Sequence, residues 1–127
     1  NVTTCGVYPI KNRGISMHCI EANLGVSTAD ADQIQLQFVK GDLSLTFLDW
    51  QEHQRKLVFQ DVIAFKWQEL DLSEFDIRDD TTYEVIDSVW LLRQSQLSEA
   101  TTDQYAHYKL CFNAHGSLDV ISKRFAE

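Results

Sequence analysis

Apolar and polar residues alternate along most of this chain, and the alternation predicts β-strands. In QIQLQFV, residues 33–39, glutamines occupy one face and apolar side chains the other, which is typical of a half-buried strand. A two-residue turn at Lys40-Gly41 or Gly41-Asp42 would place these apolar side chains on the same face as those of the next segment, LSLTFLDW. The pattern therefore predicts a hairpin.

Further strands are predicted where branched and aromatic residues are bounded by polar or glycine-containing stretches, at residues 15–22, 57–67, 83–93, 105–113 and 117–125. Helix signals are weak, with a single turn at 71–76 and a short helix at 94–102. We predict a mainly β chain of about seven strands, either an antiparallel sandwich or a strongly curved sheet, with α+β as the alternative. One domain spans residues 1–127, with residues 1–14 as a loosely packed arm.

Two of the predicted strands are apolar on both faces. In LSLTFLDW the second face also becomes apolar, and in YEVIDSVWLL both parities carry large apolar residues. Strands of this kind must be covered on both sides. A second sheet, a packed helix or a partner subunit would supply the cover, and a homodimer is the simplest hypothesis for a chain with so little helix.

The composition is that of a globular protein, with 127 residues, 44% of them hydrophobic, and one proline. No stretch approaches the roughly 20 apolar residues of a membrane helix, and the first residues lack the apolar block of a signal peptide. The three cysteines are an odd number without a CxxC pair, which favours reduced thiols. We expect a soluble, cytoplasmic protein.

The net charge of −8 is concentrated in the second half of the chain. Residues 1–67 carry seven acidic and six basic side chains, whereas residues 68–127 carry twelve and five. The acids predicted to bind a partner are Glu69, Asp71, Glu74, Asp76, Asp79 and Asp80. Such a field repels phosphate and attracts cationic proteins, so we expect a basic protein partner and no direct binding to nucleic acid. The alternative is an acidic loop that only aids solubility.

Cys111, His115 and Asp119 are spaced four residues apart, in KLCFNAHGSLDV. On a helix this spacing would place a thiol, a base and a carboxylate on one face, as in nucleophilic catalysis. A hairpin with the loop Ala114-His115-Gly116 accounts better for the apolar pattern and places Cys111 opposite Asp119. His115 then lies at the turn, out of reach of the thiol, so we expect no catalysis by these three residues.

Asp61 and Asp87 each interrupt an apolar parity, in FQDVIAF and VIDSVWL. A carboxylate at such a position is costly unless it is paired or exposed. On neighbouring strands the two aspartates would form an acid pair with one raised pKa, which suits general acid and base catalysis. The alternative is a local bulge that turns each aspartate towards solvent, or a structural hydrogen bond from backbone amides to the carboxylate.

Two loops offer weaker metal-binding candidates. LDWQEHQ contains Asp49, Glu52 and His53, and DIRDD contains Asp76, Asp79 and Asp80. Neither spacing matches a known cage, and the EF-hand pattern lacks its glycine and ligand rhythm. We therefore predict neither a metal site nor a cofactor.

The sequence contains none of the motifs that are characteristic of large enzyme classes. The phosphate loop, GxSxG, HExxH and the dinucleotide fingerprint are all absent. The phrases LVFQDVIAFKW, YEVIDSVWLL and LCFNAHGSLDVI resemble small bacterial proteins of the mobile gene-cassette and immunity type. The resemblance covers the last two-thirds of the chain. It implies a stand-alone bacterial protein and carries over no catalytic residue.

We therefore expect a non-enzymatic interaction or inhibitor protein that binds a basic partner through its acidic region. The alternative is a small-ligand module or weak hydrolase in which Asp61 and Asp87 supply the polar groups of an aromatic pocket. The aromatic residues predicted to line that pocket are Trp50, Trp67, Tyr83 and Trp90.

Overall fold

The computed structural model describes residues 17–69, 77–98 and 101–125. Within these ranges eight strands form two antiparallel sheets, with one short helix. The elements are β1 (His18–Glu21), β2 (Asp32–Val39), β3 (Asp42–Leu48), β4 (Gln54–Phe59), β5 (Ala64–Gln68), β6 (Thr82–Ile86), α1 (Val89–Leu97), β7 (Tyr105–Phe112) and β8 (Gly116–Lys123). The sheets have the orders β1-β6-β7-β8-β5 and β2-β3-β4. The predicted mainly β, antiparallel sandwich is confirmed.

The β2–β3 hairpin forms as its sequence predicts. Lys40 and Gly41 both have positive φ, 53° and 87°, which is the requirement of a type I′ turn. Leu36 pairs with Leu45 and Phe38 with Leu43, so apolar side chains share one face. The right-handed twist of the strands matches this turn type, which fixes the register.

The core lies between the two sheets. Leu43, Leu45 and Phe47 alternate along β3 and are buried against Leu110 and Phe112 of the five-stranded sheet. The rings of Phe47 and Phe112 meet edge to face with centroids 5.4 Å apart, an arrangement that contributes about 1 kcal/mol beyond the buried area. The alternation seen in the sequence therefore supplies the inner faces of both sheets.

The prediction of one strand over residues 57–67 is wrong. The chain instead leaves the three-stranded sheet after Phe59 and enters the five-stranded sheet at Ala64. Asp61, in this connection, has φ 50°, and its backbone N–H donates to Asp42 Oδ1 at 3.2 Å. Aspartate tolerates the left-handed conformation better than most residues, so the chain can bend here and change sheets.

The predicted strand over residues 83–93 is also wrong, because β6 ends at Ile86 and α1 begins at Val89. Asp87 has φ 57°, and the Ser88 hydroxyl accepts a hydrogen bond from Leu91 N at 3.0 Å. Serine is a favoured N-cap because its side chain satisfies an amide that has no helical partner. The predicted helix at 94–102 therefore begins five residues earlier. In the described part of the chain, no helix is long and apolar enough to cross a bilayer.

The β7–β8 hairpin exists, but its predicted loop and register are wrong. The loop is 113–115, so Phe112 pairs with Gly116 and Cys111 with Ser117. Ala114, with φ 69°, takes the left-handed position of this loop, which glycine usually occupies. Gly116 instead has φ 152° and lies tightly beneath the neighbouring strand β5.

We expect Gly116→Ala to destabilise the protein by about 3 to 5 kcal/mol, because unfavourable φ and overpacking add. A Cβ at this position would lie 2.7 Å from the Gln68 carbonyl oxygen and 2.8 Å from Trp67 Cζ2. Gly41→Ala is the control, since φ is also positive (87°) but no atom lies within 4 Å, and it should cost about 1 to 2 kcal/mol. Urea unfolding of both variants tests the difference, and equal losses would contradict the packing role of Gly116.

Candidate functional site

The outer face of the five-stranded sheet carries polar side chains that are buried. Along β7 and β8, alternate residues point into the core, and the residues between them point outwards towards α1. Lys109 and Asp119 face each other across the two strands, and each is only 3% exposed. His107, two residues before Lys109, is 7% exposed. Buried charges of this kind require partners within the protein.

The partners form a continuous network. Asp119 Oδ1 lies 2.7 Å from His107 Nε2, and Asp119 Oδ2 accepts from Lys109 Nζ at 3.2 Å. The Ser88 hydroxyl lies 2.7 Å from His107 Nδ1. In the neutral imidazole, the hydrogen therefore sits on Nε2 towards the carboxylate, and Nδ1 accepts from the serine. We call Ser88, His107, Lys109 and Asp119 the polar network.

The polar network stabilises the charged form of Asp119. Burial by itself raises the pKa of this carboxyl. The hydrogen bond from His107, the charge of His107 when it is protonated, and the positive charges of Lys109 and Lys66 outweigh burial, so that the pKa of Asp119 is lowered below its ordinary value. The carboxylate is thus ionised throughout the neutral range.

Aromatic and basic groups border the polar network. The Trp90 ring meets the His107 ring edge to face, with centroids 5.1 Å apart. Lys66 Nζ lies 4.8 Å from the centre of the Trp90 ring, a cation–π contact. Trp90 therefore links α1 to both β7 and β5.

Ser88, His107 and Asp119 are hydrogen-bonded in the same succession as the residues of a nucleophilic site. In such a site a base takes the serine proton and a carboxylate supports the base. Ser88 is only 6% exposed, and its oxygen also caps α1. The network thus has the hydrogen bonds of a nucleophilic site in a buried location.

The structure separates the Cys111, His115 and Asp119 trio. Cys111 lies opposite Ser117, not Asp119, and the exposed His115 occupies the hairpin loop. Burial raises the pKa of the Cys111 thiol to about 11, with smaller contributions from the charges of Asp119, Asp79 and Asp80. The thiolate needed for nucleophilic attack is therefore disfavoured.

Asp61 and Asp87 do not form an acid pair. Asp61 precedes β5 and Asp87 follows β6, and these two strands are separated by β7 and β8. Asp61 forms an exposed ion pair with Lys123 at 3.0 Å, and Asp87 is exposed at the end of its strand. Both aspartates are therefore turned towards solvent, as in the alternative considered from the sequence. The cause is a change of chain direction at positive φ and not a bulge.

The four aromatic residues predicted to line one pocket lie apart. Trp67 packs on Phe112 at the inner face, with ring centroids 5.8 Å apart, whereas Trp90 packs on the outer face. Tyr83 is buried beside β7, where its hydroxyl accepts from Arg78 N at 2.8 Å, and Trp50 is 59% exposed in the β3–β4 turn.

The Asp49 loop is organised by hydrogen bonds. The carboxylate accepts from the backbone N–H groups of Gln51 and His53 and from Arg55 Nε at 2.8 Å. The hydrogen bond from Arg55 lowers the pKa of Asp49, and the two backbone donors add to the effect. Asp49 thus closes the β3–β4 turn, and no metal-binding group was found within the described ranges.

Acidic side chains from four segments lie at one end of the sandwich, the end that carries the β7–β8 loop. Ala22 N donates to the Thr82 carbonyl, Cys111 N to the Thr81 carbonyl, and Asp30 is hydrogen-bonded to Asn113. These contacts hold the ends of β1, β2 and β6 around this loop, and β5 ends there opposite Ser117. We call this surface the acidic end, and its residues are Glu21, Asp30, Asp32, Glu69, Asp79 and Asp80.

Three of the six predicted partner-binding acids, Glu69, Asp79 and Asp80, belong to the acidic end. Asp71, Glu74 and Asp76 lie outside the described residues. Arg78 partly neutralises the surface, because its Nε lies 3.2 Å from Asp80 Oδ1. Glu21 and Asp80 also line a polar groove of about 430 Å³.

The sequence pattern does not single out the other half of the acidic end, which is Glu21, Asp30 and Asp32. It also does not group Ser88, His107 and Lys109 into one network. Two signals were present. His107 and Lys109 share a parity that places them on one strand face, and a register two residues shorter brings Lys109 opposite Asp119. No local signal identifies Ser88, because the pattern over residues 83–93 predicts a strand where the helix capped by Ser88 begins.

Comparison of the chain with protein-family models, curated proteins and solved structures found no match. The resemblance to gene-cassette and immunity proteins therefore stays a prediction.

We expect Asp119→Asn to destabilise the protein by about 3 kcal/mol near pH 7, because it removes the buried carboxylate that Lys109 Nζ and His107 Nε2 contact. Asp61→Asn is the matched control: the Lys123–Asp61 pair is 51% and 55% exposed, so its loss should cost less than about 1 kcal/mol. Urea unfolding measures both.

The difference between wild type and Asp119→Asn should depend on pH. A lowered carboxyl pKa stabilises the folded state above the unfolded value, near 3.8, and this stability is lost as the pH falls through the folded pKa. We therefore expect the two unfolding free energies to converge below about pH 4. A constant difference down to pH 2 would show that Asp119 is not stabilised as a carboxylate.

Proposed function

We propose that this protein is a non-enzymatic binding protein that recognises a basic protein partner through the acidic end. One observation carries the proposal. The fold gathers carboxylates from four separate segments at one end, whereas Lys123 and Arg124, near the other end, form ion pairs with Asp61 and Glu84. The net charge of −8 is thus presented unevenly.

An uneven field of this kind favours encounter with a cationic surface. Exposed carboxylates raise the local concentration of basic partners within about one Debye length, roughly 8 Å at physiological salt. Charge complementarity mainly accelerates association and selects the partner, while apolar contacts supply most of the affinity. The same field repels phosphate backbones, so nucleic acid is not the ligand in this proposal.

The proposal includes a cytoplasmic location and a chemistry that needs no disulfide. Cys111 is a buried free thiol, the state expected in a reducing compartment. An inhibitor or immunity protein of the kind that the sequence resembles would act there as a stoichiometric binder.

The test uses a chain of ten lysines titrated into ¹⁵N-labelled protein. We expect amide shifts to cluster at the acidic end and binding to weaken as salt is raised from about 50 to 300 mM. Glu21→Gln combined with Glu69→Gln should reduce affinity by about three- to tenfold, since exposed charges contribute up to about 1 kcal/mol each.

The matched control is Asp61→Asn combined with Asp87→Asn, which removes the same charge away from the acidic end. Asparagine tolerates the positive φ at both positions, so the fold should be retained. An equal loss of affinity in the control, or shifts spread over the whole surface, would refute recognition by the acidic end.

The Ser88–His107–Asp119 hydrogen bonds favour a second candidate function, hydrolysis of a carboxylic ester. Ser88 Oγ would attack the carbonyl carbon while His107 Nδ1 takes the hydroxyl proton and then returns it to the leaving alcohol. Water would hydrolyse the acyl-enzyme. The low exposure of Ser88 and its role as N-cap place this function second.

A fluorophosphonate probe distinguishes the two functions. A hydrolase should lose fluoride from the probe and carry the phosphonyl group on Ser88, and Asp119→Asn should slow labelling at least about a hundredfold, by analogy with established triads. Absence of the adduct from the native wild-type chain would eliminate this candidate and leave the binding function unaffected.

A further inference from the structure

Two edge strands lie side by side along one side of the sandwich. β2 pairs only with β3, and β5 pairs only with β8, among the described strands. The rings of Phe38 on β2 and Phe65 on β5 are in contact, with centroids 5.4 Å apart. Within the described residues, each strand therefore has one edge without a neighbouring strand, and such an edge is a template for an additional strand.

Apolar side chains surround these edges and are exposed. Phe38 is 50% exposed, Phe65 38% and Trp67 39%. Beside them, Ile34 and Leu36 line a groove of about 390 Å³ together with Trp67. A contiguous exposed apolar patch rimmed by polar residues marks an interaction surface.

β5 is the better template of the two. β2 carries a register shift between Asp32 and Gln35, and Gln33 within it has φ 53°, so its edge is irregular. β5 pairs with β8 without a register shift from Ala64 to Gln68. A lysine in an edge strand normally discourages pairing, but the ammonium of Lys66 is directed across the sheet towards Trp90.

Charge indicates what kind of segment fits. Asp32, Gln33 and His115 complete the lining of the groove, and Glu69 directly follows β5, so that the groove opens onto the acidic end. A segment lying along β5 would place apolar side chains on the exposed aromatic residues and would meet carboxylates at one terminus. A segment with basic residues at that terminus is complementary to both.

We propose that an extended segment of the basic partner binds as an additional strand beside β5. Its alternate apolar side chains contact Phe38, Phe65 and Trp67, and its lysine or arginine residues reach Asp32 and Glu69. Main-chain hydrogen bonds to the open edge supply affinity, and the groove and the carboxylates supply specificity. This inference rests on the proposed function and specifies the partner's binding segment.

The experiment uses a seven-residue peptide in which lysine alternates with valine and phenylalanine. We expect it to protect backbone amides of Ala64–Gln68 from hydrogen exchange, and to bind at least about tenfold more tightly than an all-lysine peptide of equal length. Phe65→Ser should abolish most of this gain. Val58→Ser on β4 is the matched control, since Val58 is 37% exposed and Phe65 38%.

The outcomes separate this inference from the proposed function. Shifts at the acidic end with both peptides, but no protection of β5, would overturn strand addition and leave the acidic interaction standing. Equal binding of a peptide with glutamate in place of lysine would overturn the charge requirement. Should Phe65→Ser fail to fold, the protection pattern in the wild-type chain decides between these results.

Sedimentation of the protein alone tests whether the occupant is a second copy. We expect the protein alone to sediment as a monomer from about 10 to about 200 µM, because the proposed occupant of the β5 edge is a partner segment and not a second copy. A dimer that dissociates on Phe65→Ser, but not on Val58→Ser, would assign the edge to self-association and overturn binding of a partner segment.

Discussion

The charge of Asp119 must be balanced within the protein, and this constraint organises the outer face of the larger sheet. β7 and β8 are buried on both faces, so a carboxylate there has no access to bulk water. An uncompensated charge in such a location costs several kcal/mol. Lys109 and His107, which both lie on the paired strand β7, supply the compensation. The Ser88 hydroxyl connects His107 to the start of α1. The helix is thus positioned by hydrogen bonds as well as by apolar contact.

The sequence predicts the fold class and one hairpin well because both depend on local patterns. Alternation along β2 and β3, with a glycine turn between them, fixes strand, face and register together. At the β7–β8 hairpin the face is predicted correctly and the register is not. There the glycine serves close packing against Trp67, while Ala114 adopts the left-handed conformation, an assignment that residue type argues against.

The sequence does not predict the changes of chain direction at Asp61 and Asp87, for a different physical reason. The apolar parity resumes after Asp61 and after Asp87, so each segment is predicted as one long strand. In the structure both aspartates have positive φ, and at these points the chain leaves one sheet for the other or enters a helix. Aspartate tolerates this conformation without requiring it, so residue type alone carries too little information. The candidate site depends on these joints, because Ser88 follows Asp87 directly.

Paired and unpaired acidic side chains contribute differently to the field at the protein surface. Asp119 is neutralised at contact distance by Lys109, and Asp61 and Glu84 are neutralised by Lys123 and Arg124. Opposite charges a few ångströms apart act as a dipole, whose field decays faster than that of a single charge. Charges of equal sign add instead, and of the acids at the acidic end Asp32 begins β2 and Glu69 directly follows β5. Sequence counting locates the excess charge only to one half of the chain, since which acids add and which cancel is decided by tertiary contacts.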